Sequence, residues 1–477
     1  MAATVLALVV SAGLLIVPGL LLFVWTALVR KTHRSRVTVL VLGDVGRSPR
    51  MQYHVLSLIQ NGFSVDLVGY RGADPLAQIS SSPHVTLWYL PQPPKMDASG
   101  SRALYLLKGV QRSAVQFLRI LGLLLFVVPK PGHILIQNPP AIPTLAIAQI
   151  VRLLNRSRLI IDWHNLGYSI MAISLGETNK MVKIAKIYER LLGCSADAHL
   201  CVTKAMASLV QQNWHASGDC VVLYDKAPSN FHRLSLDEIH NFLLKLDFSQ
   251  NEMQYRCEPS ASLSTLLTAK QQPSSPAFSR PDRPALIVSS TSWTEDEDFS
   301  ILADAIQAYD RQAVARASRA DQPLPRLFIV ITGKGALKEP FMASINEMDL
   351  QFVTVKTAWL KMEDYPMLLG CADLGVSLHY SSSGLDLPMK VVDMFGCSLP
   401  ACSIGYQCID ELIRHKKNGL IFESAEELSS QWIELLEGFP HKTDRIDELR
   451  QGIRELSQDR WSDNWDKHAK DLFASRR

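Results

Sequence analysis

The stretch from Val37 to Tyr70, "VTVLVLGDVGRSPRMQYHVLSLIQNGFSVDLVGY", decides the fold. "VTVLVLG" is a short run of β-branched and aliphatic residues and reads as a strand. "RSPRMQYHVLSLIQNG" reads as a turn and a helix closing at Gly62, and "FSVDLVGY" as a second strand. Apolar strands alternating with helices imply a parallel sheet covered on both faces. Working outward, the same alternation continues through "HVTLWYL", "HILIQ", "RLIID", "AHLCVT" and "CVVLYD".

The pattern stops after Tyr224. Residues 226–284 are poor in strand signals, and "KQQPSSPAFSRPDRP" has the composition of a linker. It resumes with "ALIVSSTS", "RLFIVITGKG", "FVTVK", "ADLGVSLHY" and "LPACSIG", and "DRIDELRQGIRELSQD" reads as a late helix. The division expected is therefore an α/β domain over 37–225, an insertion or linker over 226–284, a second α/β domain over 285–440 and a C-terminal helix over 441–477. A cleft is expected between the two domains, with ligands beyond the carboxyl ends of the strands.

Composition narrows the function classes. The chain is 47% hydrophobic and 20% charged, which is globular rather than disordered. A formal charge of +3, with no zinc-finger spacing and no basic region interleaved with aromatics, points away from nucleic acid as a partner. None of the eight cysteines forms a C-x-x-C pair; they read as reduced thiols facing a reducing compartment. Met1–Val29 has no charged residue, and Arg30, Lys31, Arg34 and Arg36 follow at once. Such a run is expected to be a transmembrane anchor over 1–30 with the remainder on the cytosolic side. "RALYLLKGVQRSAVQFLRILGLLLFVVPK" reads as a long helix, either packed on the first domain or lying at a membrane surface.

"SSSGLDLPMKVVDMFG", Ser381–Gly396, carries the densest chemistry. Asp386, Lys390 and Asp393 recur at i, i+4 and i+7 on one stripe of an otherwise apolar helix. Pro388 suits the helix's first turn and Asp386 its cap, and the amides of Ser382, Ser383 and Gly384 precede a helix N-terminus suited to an anion. Two carboxylates on one stripe can accept hydrogen bonds from vicinal hydroxyls, while an internal Asp–Lys–Asp ladder is the plainer reading. In "TSWTEDEDF", Thr294 and Glu297 have capping-box spacing, which competes with a D-x-D metal reading at Asp296 and Asp298. In "GDVGRSPRMQYH", Gly43 and Gly46 permit a close turn, with Arg47 and Arg50 at the following helix's start. Asp162 and His164 stand at the end of the strand in "IDWHN" and need not act as a pair.

These blocks, with "ITGKG" and "IDWHNLGYSI", resemble the chitobiosyldiphosphodolichol β-mannosyltransferases in order and spacing from about Val37 to about Trp465. The resemblance implies a GT-B fold of two Rossmann-like domains, GDP-mannose as donor, dolichol-linked chitobiose as acceptor and inversion at the sugar. It also implies a single-pass endoplasmic reticulum membrane anchor with cytosolic catalytic domains, beside other glycosyltransferases of the dolichol pathway. On it, Gly333, Lys334, Gly335, Ser382, Ser383, Gly384, Asp386, Lys390 and Asp393 are expected at the donor, with Asp393 on the ribose. Asp386 stands one residue closer to Asp393 than the matching glutamate pair of retaining GT-B families. Gly46, Arg47 and Arg50 are expected at the acceptor diphosphate, and His164 or Asp44 as the base that an inverting transfer needs. No metal is required by the sequence, and stimulation by Mg2+ or Mn2+ is left open. The competing readings are another hexose transferase of the same fold and a silent glycosyltransferase-like scaffold.

Overall fold

The computed structural model describes residue 26 and residues 28–92, 102–258, 260–295, 297–317, 323–456 and 459–474. The chain divides into two compact units, one of Met1–Tyr224 with Trp465–Arg477 and one of Asp225–Asn464.

In the first unit seven strands form one parallel sheet: β1 (His33–Asp44), β2 (Ser64–Tyr70), β3 (Val85–Leu90), β4 (Pro131–Asn138), β5 (Arg158–Trp163), β6 (Ala198–Cys201) and β7 (Asp219–Val222). Their order is β3-β2-β1-β4-β5-β6-β7, so the direction of winding reverses between β1 and β4. Val37, Val39, Leu40 and Val41 of β1 are all buried, which is why this strand has no polar face to alternate with. The crossover helix, Pro49–Gln60, starts with proline in its first turn and stops where Gly62 adopts φ +83°.

The second unit holds β8 (Leu246–Asp247), β9 (Glu252–Tyr255), a short hairpin of β10 (Thr268–Ala269) and β11 (Phe278–Ser279), then β12 (Ala285–Ser290), β13 (Leu327–Thr332), β14 (Val353–Ala358), β15 (Leu374–Ser377), β16 (Ala401–Ile404) and β17 (Gly419–Phe422). Its main sheet runs β17-β16-β15-β12-β13-β14-β9-β8, with winding reversed between β12 and β15. Each face carries its own core, one around Leu302, Ile306, Tyr309 and Trp432, the other around Phe242, Leu369, Val391 and Met394.

Three expectations change. Residues 226–284 are not a plain linker: Glu252 of β9 pairs with Thr357 of β14, so the segment extends the second sheet at its edge. The 441–477 segment is not one helix but Asp444–Leu456, Trp461–His468 and a short turn at Lys470–Phe473, and the chain rejoins the first unit at Trp465. The expected transmembrane helix, and the single-pass endoplasmic reticulum location drawn from it, are corrected: among the described residues no helix is long and apolar enough to cross a membrane. The apolar run at 1–25 lies outside the described residues. The long helix spans Arg102–Gly122 and passes into a π-type turn at Leu123–Val127. Its last turns pack inward through Ile120, Leu121, Leu124 and Leu125, while Leu118 faces out.

Candidate active site

Each unit gathers polar side chains where its central strands end. In the first unit β1 runs into a tight turn at Asp44. Asp44 accepts hydrogen bonds from the backbone N–H of Gly46 at 3.0 Å and of Ala73 at 3.0 and 3.1 Å, and Arg47 lies 3.4 Å away. A Cβ on Gly46 would lie 2.3 Å from the carbonyl oxygen of Ala73, so only glycine allows the two loops to meet. Both carboxylate oxygens of Asp44 thus hold loops together, a structural task at a residue that the resemblance offers as a base. Arg47 is mostly exposed.

Arg50 departs from expectation. Its guanidinium is buried and grips Asp162 through two parallel bonds of 2.8 and 2.7 Å, with a third to the Leu223 carbonyl at 3.0 Å. A side chain committed this way is a poor grip for a soluble or lipid-borne diphosphate, and the helix start that carries it points the charge inward.

Asp162 is the hub of this cluster. Besides Arg50 it takes His54 Nε2 at 3.1 Å and His164 Nε2 at 2.7 Å. The Trp465 indole N–H donates to His54 Nδ1 at 2.9 Å, so the hydrogen of neutral His54 sits on Nε2, facing Asp162. Burial holds the His54 imidazole below its usual pKa. Burial alone would raise the Asp162 carboxyl, but the charge of Arg50 and the two imidazoles outweigh it and hold the group well below the carboxylate range. Asp162 and His164 are therefore a hydrogen-bonded pair after all. Strand alternation itself favours the pair, because residues two apart face the same way, and β5 ends at Trp163, one residue before His164. Since a carboxylate only accepts, His164 carries a hydrogen on Nε2, and in the neutral imidazole Nδ1 then keeps the lone pair.

In the second unit the loop after β12 is the organiser. Trp293 is buried at φ +55° and stacks on Phe299 at 4.5 Å between ring centroids. Its indole N–H has no hydrogen-bond partner among the described residues. Gly333 (φ +116°) and Gly335 press against this loop: a Cβ would lie 1.9 Å from the Thr291 carbonyl oxygen at one and 2.3 Å from that of Ser292 at the other. Between them Lys334 sets its ammonium 4.4 Å from the Trp359 ring centre.

Glu297 does not make the expected capping box. It is buried, accepts from the Thr291 hydroxyl and the Ser292 N–H (3.0 Å), and pairs with Lys390 Nζ at 2.6 Å. The helix starts later, at Phe299, where Asp298 accepts from Ser300 N–H at 3.0 Å and takes the capping place. Asp296 lies outside the described residues.

The stripe of Asp386, Lys390 and Asp393 is also divided. The helix is only Met389–Gly396, with Pro388 at its N-cap and no side-chain cap. Asp386 therefore precedes the helix and serves its own loop, accepting from the Ser381 hydroxyl and, at 3.5 Å, from Ser383. His379 Nε2 stands 3.4 Å from it, and Gly384 at φ +70° makes the turn between Ser382–Ser383 and Asp386. Lys390 is taken up by Glu297. Asp393 lies toward Tyr365, whose hydroxyl donates to Ser290 at the end of β12 at 3.0 Å and also meets Asp393. Burial and the negative charge of Asp225 push the Asp393 carboxyl well above its usual pKa. The donor candidates thus converge through the Thr291–Glu297 loop at the ends of β12 and β13 and beside the β12–β15 reversal, where open α/β sheets bind ligands. Trp293, Glu297 as the partner of Lys390, Tyr365, His54 and Trp465 were not singled out in these roles from sequence.

This two-sheet architecture is that of GT-B-like glycosyltransferases. The Anabaena protein HepE, solved with UDP and glucose, superposes with a TM-score of 0.57 over 92% of this chain and 99% of its own, at 14% identity. No family model matches. Among curated proteins, the Mus musculus chitobiosyldiphosphodolichol beta-mannosyltransferase is 43% identical over 468 residues, 98% of this chain and 94% of the relative. An Arabidopsis thaliana protein named UDP-glycosyltransferase TURAN is 42% identical over 461 residues, 92% of this chain and 97% of its own. The chain belongs to the chitobiosyldiphosphodolichol β-mannosyltransferase family.

Proposed function

We propose that this chain transfers mannose from GDP-mannose to dolichol-linked GlcNAc2 with inversion, forming the β-1,4 linkage. The observation that carries the reading is the end-to-end likeness to β-mannosyltransferases at 43% identity. His164 Nδ1 takes the proton from the 4-hydroxyl of the terminal GlcNAc as its oxygen attacks C1 of the mannose. The bond from C1 to the diphosphate breaks from the opposite side and GDP leaves with the electron pair. Asp162 supports the base by holding Nε2–H at 2.7 Å, which fixes the tautomer and the ring plane. Asp44 ranks below His164 because its oxygens already bind loop N–H groups.

At the donor, Asp393 accepts from the ribose hydroxyls, and the amides of Gly333–Gly335 and Ser382–Gly384 face the diphosphate with Lys334. Lys390 shares its charge between Glu297 and the leaving phosphate. Arg47 and Gly46 remain the acceptor-side candidates. A second reading, a hexose transferase using a uridine nucleotide, is suggested by the name of the Arabidopsis relative. The test is purified full-length protein with labelled GDP-mannose and a chitobiosyl-diphospho-phytanyl acceptor, with GDP and UDP as competitors. A mannosylated lipid cleaved by β-mannosidase, inhibited by GDP, is expected. No product in any detergent, or stronger inhibition by UDP, would sink the proposal.

A further inference from the structure

The helix Lys180–Gly193 has the wrong outer face for one bathed in water. Val182, Ala185, Glu189 and Gly193 turn inward. At 3.6 residues per turn the opposite face holds Ile184, Ile187 and Leu191, and these are 57%, 58% and 66% exposed. A surface helix ordinarily carries polar residues there. The preceding helix, Gly167–Leu175, buries only Ser169 and leaves Ile170, Ile173 and Leu175 exposed. Scattered single exposures need no explanation, but this density over two consecutive helices does.

The exposed charges on the helix Lys180–Gly193 are all cationic, and the exposed acid beside them, Glu177, stands in the turn between the two helices. Lys183 and Arg190 flank it on one side, Lys180 sits at its start and Lys186 lies over the Tyr168 ring at 5.2 Å. Glu189, the only acid on the helix Lys180–Gly193, is buried and accepts from the N–H of Gly167 (2.9 Å) and Tyr168 (3.1 Å). That carboxylate ties the two helices together and removes the acid from the outer surface.

We infer that these two helices form a peripheral docking face for an anionic bilayer, with the aliphatic side chains entering the headgroup boundary and the lysines and Arg190 meeting lipid phosphates. An apolar stripe bordered by cations fits this occupant better than a neutral protein surface. The inference deepens the proposed function: His164 precedes the first docking helix by three positions, so the face would hold the base beside an acceptor whose lipid tail stays in the membrane.

The test places an environment-sensitive nitrobenzoxadiazole label at Ile187→Cys in the full chain, with the exposed Cys257 replaced by Ser. Vesicles of phosphatidylcholine mixed with phosphatidylserine are expected to raise and blue-shift its emission severalfold, and phosphatidylcholine alone to do so far less. Lys183→Glu/Lys186→Glu/Arg190→Glu should abolish the difference. Unchanged aqueous emission on anionic vesicles would overturn the inference, even if the protein sediments with them through another segment. A label already shielded without lipid, in a concentration-dependent way, would assign the face to a second copy and equally overturn it. Ile184→Ser/Ile187→Ser/Leu191→Ser should raise KM for vesicle-borne acceptor about tenfold while sparing kcat on a short-chain acceptor in solution. An enzyme inactive in every assay but with a lipid-responsive label would refute the proposed function and leave the docking face standing.

Discussion

Asp162 of the first unit and Asp393 of the second are both carboxylates withdrawn from water, and the groups around them are opposite in charge. Asp162 meets a guanidinium and two imidazoles and is held ionised. Asp393 meets a tyrosine hydroxyl and a second carboxylate and is pushed toward its neutral form. The first is a finished arrangement whose lone pairs are filled by the protein, and its product is the fixed orientation of His164. The second is poised for exchange, because two ligand hydroxyls would give its ionised form the hydrogen bonds that the surroundings withhold.

The comparison breaks most severely if His164 proves dispensable. His164→Ala should lower kcat by about 10²–10⁴-fold, the usual worth of a positioned general base, with little change in the unfolding midpoint. A full-rate variant would leave the Asp162 cluster purely structural. Arg50→Met should destabilise the fold by about 3–5 kcal/mol in urea unfolding, because Asp162 is left charged and buried. The same pair predicts the sign of acid sensitivity. A carboxyl held low in the fold adds stability above its ordinary pKa, and this is lost as pH falls below that value. Arg50→Met should therefore flatten the acid limb of a stability profile.

Asp393→Asn should raise the donor KM about ten- to a hundredfold, the worth of one or two charge-assisted hydrogen bonds. Its stability should move the other way. A group raised in the fold loses its contribution as pH climbs from the ordinary carboxylate value through the raised one, so the variant should be at least as stable as the parent at neutral pH. A drop in stability with an unchanged KM would show that Asp393 is a structural acid like Asp162. Smallest is Trp465→Phe. Removing the N–H that fixes His54 should cost about 1–3 kcal/mol, read by thermal unfolding, while donor KM stays constant.

Much of the fold was legible because its strands are short apolar runs separated by turn residues, and β1, β12 and β13 lie where the sequence places them. The short strand β9, "EMQY", lies between β14 and the edge strand β8 and carries no such signal, since only Met253 of its four residues is buried. The site was legible in position more than in role. "GDVG" reads as a loop of close approach, and the geometry at Gly46 accounts for it; the close approaches at Gly333 and Gly335 in "ITGKG", which entered only through the family resemblance, had no such reading. Arg50 misled because local sequence records that a cation stands at a helix start but not that Asp162, 112 residues on, awaits it. The Lys390–Glu297 pair spans 93 residues and was equally invisible. Asp386 looked like a cap because periodicity extends past the point where Pro388 begins the helix.

One contact reaches further than any of these. Trp465 lies 411 residues beyond the His54 it fixes, and all of Asp225–Asn464 intervenes. A chain made from its N-terminus finishes the entire second unit before the first can close around its own hub. Any product cut short by a premature stop between Asp225 and Asn464 lacks the indole that sets the His54 hydrogen. A residue translated only after the whole second unit thus acts as a check that this unit is finished, and a shorter product carries its base on an unfinished support.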